Sequence, residues 1–240
     1  MDLDLSAVAD EIDDELVAAG TPERAEGAAA YLKSDLRHYG APVPAVRATV
    51  KAVLRRRPAL DHDEVVALAE TLWSVPVHER RLAAVEVLSA STRVLDARDA
   101  DLFERLLRES RTWALVDPLS TSVAGPVAER DPDFGPVLDR WAVDEDFWIR
   151  RGAMLALLVP LRRGGGDFDR FSRYADSMLE EREFFIRKAI GWVLRDTAKR
   201  RPDLVFDWLL RRASRASGVT IREALKPLSE DQRRAILAAR

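Results

Sequence analysis

Trp113 and Asp117 stand four residues apart in Arg111-Thr112-Trp113-Ala114-Leu115-Val116-Asp117-Pro118. On a helix that spacing puts an indole and a carboxylate on one face. Such a pair suits chemistry in which positive charge develops, the carboxylate acting by Coulomb attraction and the indole through its electron-rich ring. The residues also have a structural reading: Asp followed by Pro is what a helix N-cap followed by Pro at the first helical position looks like. Both hold together, because a carboxylate pinned at a helix start is preorganised. Trp73, Trp141 and Trp208 are expected in the core, which is also the structural reading of Trp113 and Trp192.

Other chemistries find less support. The chain has no cysteine, which excludes disulfides, thiolate metal sites and cysteine nucleophiles and suits a reducing compartment. Its three histidines, His38, His62 and His78, lie at no metal-ligand spacing, so no metal and no cofactor are expected. Arg162-Arg163-Gly164-Gly165-Gly166 lacks the GK[ST] sequel of a phosphate loop and reads as a turn. Asp144-Glu145-Asp146 precedes a helical pattern, where acids complement the macrodipole, and Asp10 to Glu15 reads as the solvent face of a first helix.

The net charge of −3 over 240 residues conceals a partition. Residues 1–30 carry −8, residues 31–60 carry +6, the stretches 61–110 and 111–146 carry −5 each, and residues 147–240 carry +9. Two basic zones in an otherwise acidic chain suit a polyanion-binding surface, although Arg-rich helices are also simply solvated. The longest apolar stretch, Met154 to Pro160, is far short of the ~20 residues of a membrane span, and the first residues are acidic where a secretory signal is basic. The expectation is a cytoplasmic protein with no membrane partner.

Apolar residues recur at i, i+3, i+4 and i+7 in nearly every window, and alternating β-branched runs are missing, so the expected fold is all-α. Breaks are read at Gly20-Thr21-Pro22, Gly40-Ala41-Pro42, Arg57-Pro58, Asp117-Pro118, Asp131-Pro132, Gly164-Gly165-Gly166, Arg201-Pro202 and Gly218. Asp146-Phe147-Trp148-Ile149-Arg150-Arg151 aligns with Glu183-Phe184-Phe185-Ile186-Arg187-Lys188 at an offset of 37 residues. Weaker echoes set anchors at Arg47, Arg80 and Arg222, with Asp117 where a sixth base belongs, and the period becomes 33 to 37 residues. That is an α-solenoid signature: residues 1–240 are read as one HEAT-like repeat domain of about six helix pairs, with the anchors on the second helix of each pair facing a concave basic cleft. The alternative use of each anchor Arg is pairing with a neighbouring acid inside the stack.

Together these motifs resemble a family. Tyr31-Leu32-Lys33, Tyr39-Gly40, Pro44-Ala45-Val46-Arg47, Trp113-x-x-x-Asp117, Trp148-Ile149-Arg150-Arg151 and, most specifically, the run from Phe184 to Arg195 (FFIRKAIGWVLR) are similar to the AlkD-type DNA alkylation repair glycosylases, a HEAT-like repeat family, from about Glu23 to Asp207. The resemblance implies a site of Trp113, Asp117 and Trp192. It implies DNA contacts from Arg151, Tyr31 and Arg195, to which the anchor reading adds Arg47, Arg150, Arg187 and Lys188. It further implies excision of cationic N3- or N7-alkylated purines from double-stranded DNA, with the lesion left largely in the stack rather than extruded. The protein is expected to act as a monomer. Thr112 replaces the family's second aromatic before Trp113, which bears on lesion range. A non-catalytic DNA-structure binder or protein-interaction solenoid of the same architecture is the alternative.

Overall fold

The computed structural model describes residues 4–57 and 59–240, all helical or connecting segments. Among the described residues the one extended pairing is an isolated parallel bridge between Arg37 and Val77, and no helix is long and apolar enough to cross a membrane. The expected break at Arg57-Pro58 includes Pro58, which lies outside the described residues. The chain divides into two compact units, residues 1–99 with 109–119, and residues 100–108 with 120–240.

The first unit contains α1 (Leu5–Ala19), α2 (Pro22–Leu32), α3 (Val43–Arg55), α4 (His62–Ser74) and α5 (His78–Ala90). Helix α6 (Ala100–Ser110) gives it only its last residues, and α7 (Trp113–Pro118) follows. Starts are set by local chemistry. The Asp4 carboxylate accepts from Ala7 N at 3.1 Å, and Asp61 and Glu64 form a reciprocal capping box. Ile12, Leu16, Leu68, Leu72 and Leu88 are fully buried in its core. Successive anchor helices are neighbours, α3 packing on α5 and α5 on α7, as a solenoid requires.

The second unit contains most of α6, then α8 (Gly125–Arg130), α9 (Gly135–Trp141), α10 (Phe147–Ala156), α11 (Leu158–Arg162), α12 (Phe168–Ser177), α13 (Phe184–Ala198), α14 (Pro202–Leu210), α15 (Gly218–Ala224) and α16 (Glu230–Ala238). The acids that open the duplicated motif are N-caps. Asp146 accepts from Trp148 N at 2.8 Å, and Glu183 from Phe185 N at 3.2 Å. Anchor helices again stack in succession, α10 on α13 and α13 on α15. The last contact is close because of Gly191, where a Cβ would stand 2.8 Å from that of Glu223.

The period of the sequence returns as a register of side-chain bonds between repeats. Trp73 Nε1 donates to Glu109 at 2.7 Å across 36 residues, Trp141 Nε1 to Glu104 at 3.0 Å across 37, and Trp208 Nε1 to Ser172 at 2.6 Å across 36. All three indoles are buried, as expected of them. Each apolar body fills its own repeat while its single donor is satisfied by an adjoining one, the following repeat for Trp73 and the preceding one for Trp141 and Trp208, so none leaves a buried N–H unpaired.

Candidate functional site

In the first unit the Trp113–Asp117 segment departs from its sequence reading. Asp117 does not start a helix: Thr112 is the N-cap of α7, its hydroxyl accepting from Ala114 N at 3.4 Å, and Asp117 lies within that helix. Pro118, expected to break the chain, sits inside the helix, and the backbone runs on through a π-helical segment, Leu119–Ala124, into α8. The physical reason is that Pro118 has no N–H to give the Ala114 carbonyl and crowds it, so the following turns widen instead of stopping. Asp117 is therefore one turn beyond Trp113 on the same helix, ahead of a local distortion.

Tyr31, 74% exposed at the end of α2, meets the Trp113 indole edge-to-face with centroids 6.0 Å apart. A strap, residues 34–42, holds the end of α2. Lys33 adopts a left-handed φ of 49° and turns the chain out of the helix. Tyr39 N and Gly40 N then donate to the buried Glu79 carboxylate at 2.9 and 2.8 Å, and Tyr39 Oη to Asp13 at 2.9 Å. Gly40, at φ 82°, passes where a Cβ would come within 2.2 Å of the Thr21 carbonyl, so only glycine fits.

Arg47 remains on the surface, paired with Glu86 at 2.9 Å. It joins Lys51, Arg55 and Arg93 around an open cavity of about 640 Å³ floored by Val50, Leu54, Leu60 and Val94. Lys51 and Arg55 were not singled out from the sequence, although their spacing of four and eight residues from Arg47 on α3 carries the signal.

In the second unit most anchor cations turn inward. The Arg151 guanidinium donates to Phe185 O at 2.6 Å and lies over the Phe185 ring at 5.9 Å, with the residue 2% exposed. Arg150 donates to Asp144 O, Glu145 O and the Glu181 carboxylate at 2.6, 2.8 and 2.8 Å, and Arg187 to Glu181 O at 2.6 Å. Arg80, the corresponding base in the first unit, is 6% exposed and pairs with Asp13 at 3.1 Å. The expectation that the anchors share one open face is corrected here: Arg80, Arg150, Arg151 and Arg187 serve the packing of their own units, and Arg47 and Arg222 stay exposed. A motif of acid, aromatics and bases closes helix ends against the next repeat as readily as it lines a surface, so the spacing did not separate the two uses.

Trp192, Lys188 and Arg195 stay half-exposed on α13. Two carboxylates the sequence reading missed organise them. Glu223 on α15 accepts from Lys188 and Lys226 at 2.8 and 2.9 Å and from Arg195, and the Lys188 bond leads the effects that pull its pKa down to about 2. Asp196 accepts from Trp192 Nε1 at 3.1 Å, from Arg162 at 2.8 Å and from Lys199 at 2.8 Å. Burial pushes its pKa up, but Lys199 and Arg162 outweigh burial and the net shift is downward.

A family model described as DNA alkylation repair enzyme matches residues 12–228. The structure is similar to a predicted DNA alkylation repair enzyme from Enterococcus faecalis, with a TM-score of 0.78 at 23% identity, covering 88% of this chain and 97% of that one. It is also similar to AlkD2 from Streptococcus mutans, with a TM-score of 0.60 at 17% identity over 78% of this chain and 91% of that one. No curated protein matches by sequence.

Proposed function

The chain belongs to the DNA alkylation repair enzyme family, and on that premise we propose that it hydrolyses the N-glycosidic bond of cationic N3- or N7-alkylated purines in duplex DNA. The observation that carries this reading is the Trp113–Asp117 turn of α7, with Tyr31 set against the indole. Thr112 already caps that helix, so the cap role does not account for a carboxylate at position 117.

Alkylation at N3 or N7 makes the purine a cation, so it departs with the C1′–N electron pair and needs no general acid. Positive charge then grows on the deoxyribose. The Asp117 carboxylate stabilises that oxocarbenium-like sugar and orients the water whose oxygen bonds to C1′ and whose proton is released. Trp113 faces the cationic sugar or base with its aromatic ring, a contact contributing about 0.5–2 kcal/mol. Exposed cations such as Arg47 and Lys188 hold phosphates, supplying salt-dependent affinity without sequence preference. No step calls on a metal or cofactor, and the lesion stays largely stacked.

Single-turnover excision from duplex oligonucleotides carrying 7-methylguanine tests this. Asp117→Asn keeps size and removes charge, and is expected to slow release by about 10- to 1000-fold while DNA affinity holds, since one negative charge has gone. Full activity in a normally folded Asp117→Asn protein would overturn the catalytic assignment and leave the non-catalytic DNA binder.

A further inference from the structure

Asp196 follows Trp192 by one turn of α13, and its side chain is 4% exposed. Around it converge an indole and three cations. Oδ2 accepts from Trp192 Nε1 at 3.1 Å and from Arg162 Nε at 2.8 Å, and Oδ1 from Lys199 Nζ at 2.8 Å and Arg195 Nε at 3.4 Å. The cations reach outward, Arg162, Arg195 and Lys199 keeping 45%, 27% and 55% of their side-chain surface in solvent. One carboxylate neutralises one cation, so the group keeps an excess of positive charge turned toward water. Arg195 is shared with Glu223, which also holds Lys188 and Lys226.

One bidentate guanidinium fills about two of a carboxylate's roughly four acceptor sites, and water could serve a half-exposed indole N–H. Here the anion lies beneath the surface while the cations stand above it beside the ring.

We propose that Asp196 is the positioning residue of this face: its buried carboxylate fixes the Trp192 indole and splays Arg162 and Lys199 as contacts to phosphates flanking the damaged nucleotide. The inference rests on the glycosylase reading for its substrate and names residues that reading does not use. In the chemical step Asp196 acts through Trp192, so its removal slows excision from bound DNA only while the indole N–H is there to be held, whereas its hold on Arg162 and Lys199 is read in binding. Because Arg162 and Lys199 meet phosphates, each contributes to the salt dependence of binding.

A double-mutant cycle on the full chain decides the first part. Trp192→Phe and Asp196→Ala are each expected to slow single-turnover excision of 7-methylguanine about tenfold, and the double variant to be no more than about twofold slower than the worse single one. A multiplicative loss of about 100-fold would reduce Asp196 to a stabilising knot. If Asp196→Ala does not fold, Asp196→Asn, which keeps an oxygen for the indole, is measured by NMR. The Trp192 Nε1–H resonance, assigned by its disappearance in Trp192→Phe, is expected to hold its position, and a shift to that of a water-exposed indole would overturn the proposal. For the second part, Arg162→Gln and Lys199→Gln should each reduce the slope of log affinity against log salt for undamaged duplex by about one, and two unchanged slopes would remove the phosphate contacts. The two readings fail separately. If the wild-type chain binds duplex but releases no base, the glycosylase reading falls, while the indole resonance and the salt slopes still decide Asp196.

Discussion

His38, His62 and His78 all lie in the first unit, and the second has no histidine. A histidine pair of the first unit and two carboxylates of the second also meet burial differently. In the first, His38 and His78 stack with centroids 4.8 Å apart, and both His38 ring nitrogens and His78 Nδ1 are buried without a hydrogen-bond partner. In the second, buried carboxylates such as Asp196 and Glu223 are saturated by cations. An imidazole stripped of water resists protonation, and burial drives His78 down to about 4 and also lowers His38. A carboxylate ringed by cations resists protonation too, but down to far lower pH. The units should therefore fail at different acidities even though both are helical stacks.

The sign follows from linkage. With a folded pKa of about 4 against 6.5 when unfolded, His78 binds protons more readily in the unfolded chain, so the first unit loses stability as pH falls from 6.5 toward 4. The full effect is about 3 kcal/mol. His62 runs the other way: bonds to Asp63 and Asp99 raise its pKa, and its contribution is present below 6.5 and lost as pH rises through the raised value. Being the more exposed, it offsets only part of the loss. Glu223 contributes above its unfolded pKa of 4.5 and loses that only as pH falls toward 2. Amide exchange at pH 5 and 7 should therefore show protection falling in α4 and α5 and holding in α13 and α15. Equal loss in both units would break the comparison, and His78→Phe should flatten the response of the first.

Glycine sharpens the contrast at smaller amplitude. Gly191→Ala in the second unit places a methyl against Glu223 Cβ and Thr220 backbone, 2.8 and 3.2 Å away, and should cost about 1–3 kcal/mol. Gly27→Ala in α2 of the first unit meets nothing within 4 Å and should stabilise by about 0.5–1 kcal/mol. Opposite shifts in thermal midpoint are expected, and two shifts of the same sign would show that the close approach of α13 and α15 is not what demands Gly191.

The smallest effect expected is that of Arg47→Gln. Its exposed pair with Glu86 is worth no more than about 0.5 kcal/mol, whereas Arg150→Gln strips donors from two carbonyls and a carboxylate and should cost several times as much. Urea denaturation of the two variants checks this, and equal losses would mean that the inward turn of Arg150 contributes nothing to its unit.

Much of the architecture could be read from residue types alone. Helix periodicity, the 37-residue duplication and the acids at 146 and 183 all report local chemistry: which face is apolar, and which side chain can bond the first amides of a helix. The burial of Trp73, Trp141 and Trp208 follows in the same way. The sequence reading erred where one local pattern serves two geometries. Asp-Pro fits a helix start or a helix interior, and the choice fell to Thr112, a good cap one turn earlier, together with a π-helical segment that absorbs Pro118. The Thr at 112 was a signal available from the sequence.

The destination of each cation was not available in that way. Arg150, Arg151 and Arg187 share spacing and neighbours with a surface-facing base, yet their donors end on carbonyls and carboxylates that packing brings within reach, as at Phe185 O and Glu181. Asp196 follows Trp192 by the same four residues that separate Asp117 from Trp113, a signal open to sequence reading, whereas the cations that reach Asp196 from α11 and Glu223 from α13 follow no spacing along one helix. Residue order determined the elements, their period and their caps, since these depend on bonds within a few residues. Only the tertiary structure decided which charges are neutralised and which face water, because partners such as Glu181 for Arg150, Phe185 for Arg151 and Arg162 for Asp196 lie about one repeat away in the chain and a few ångströms away in space.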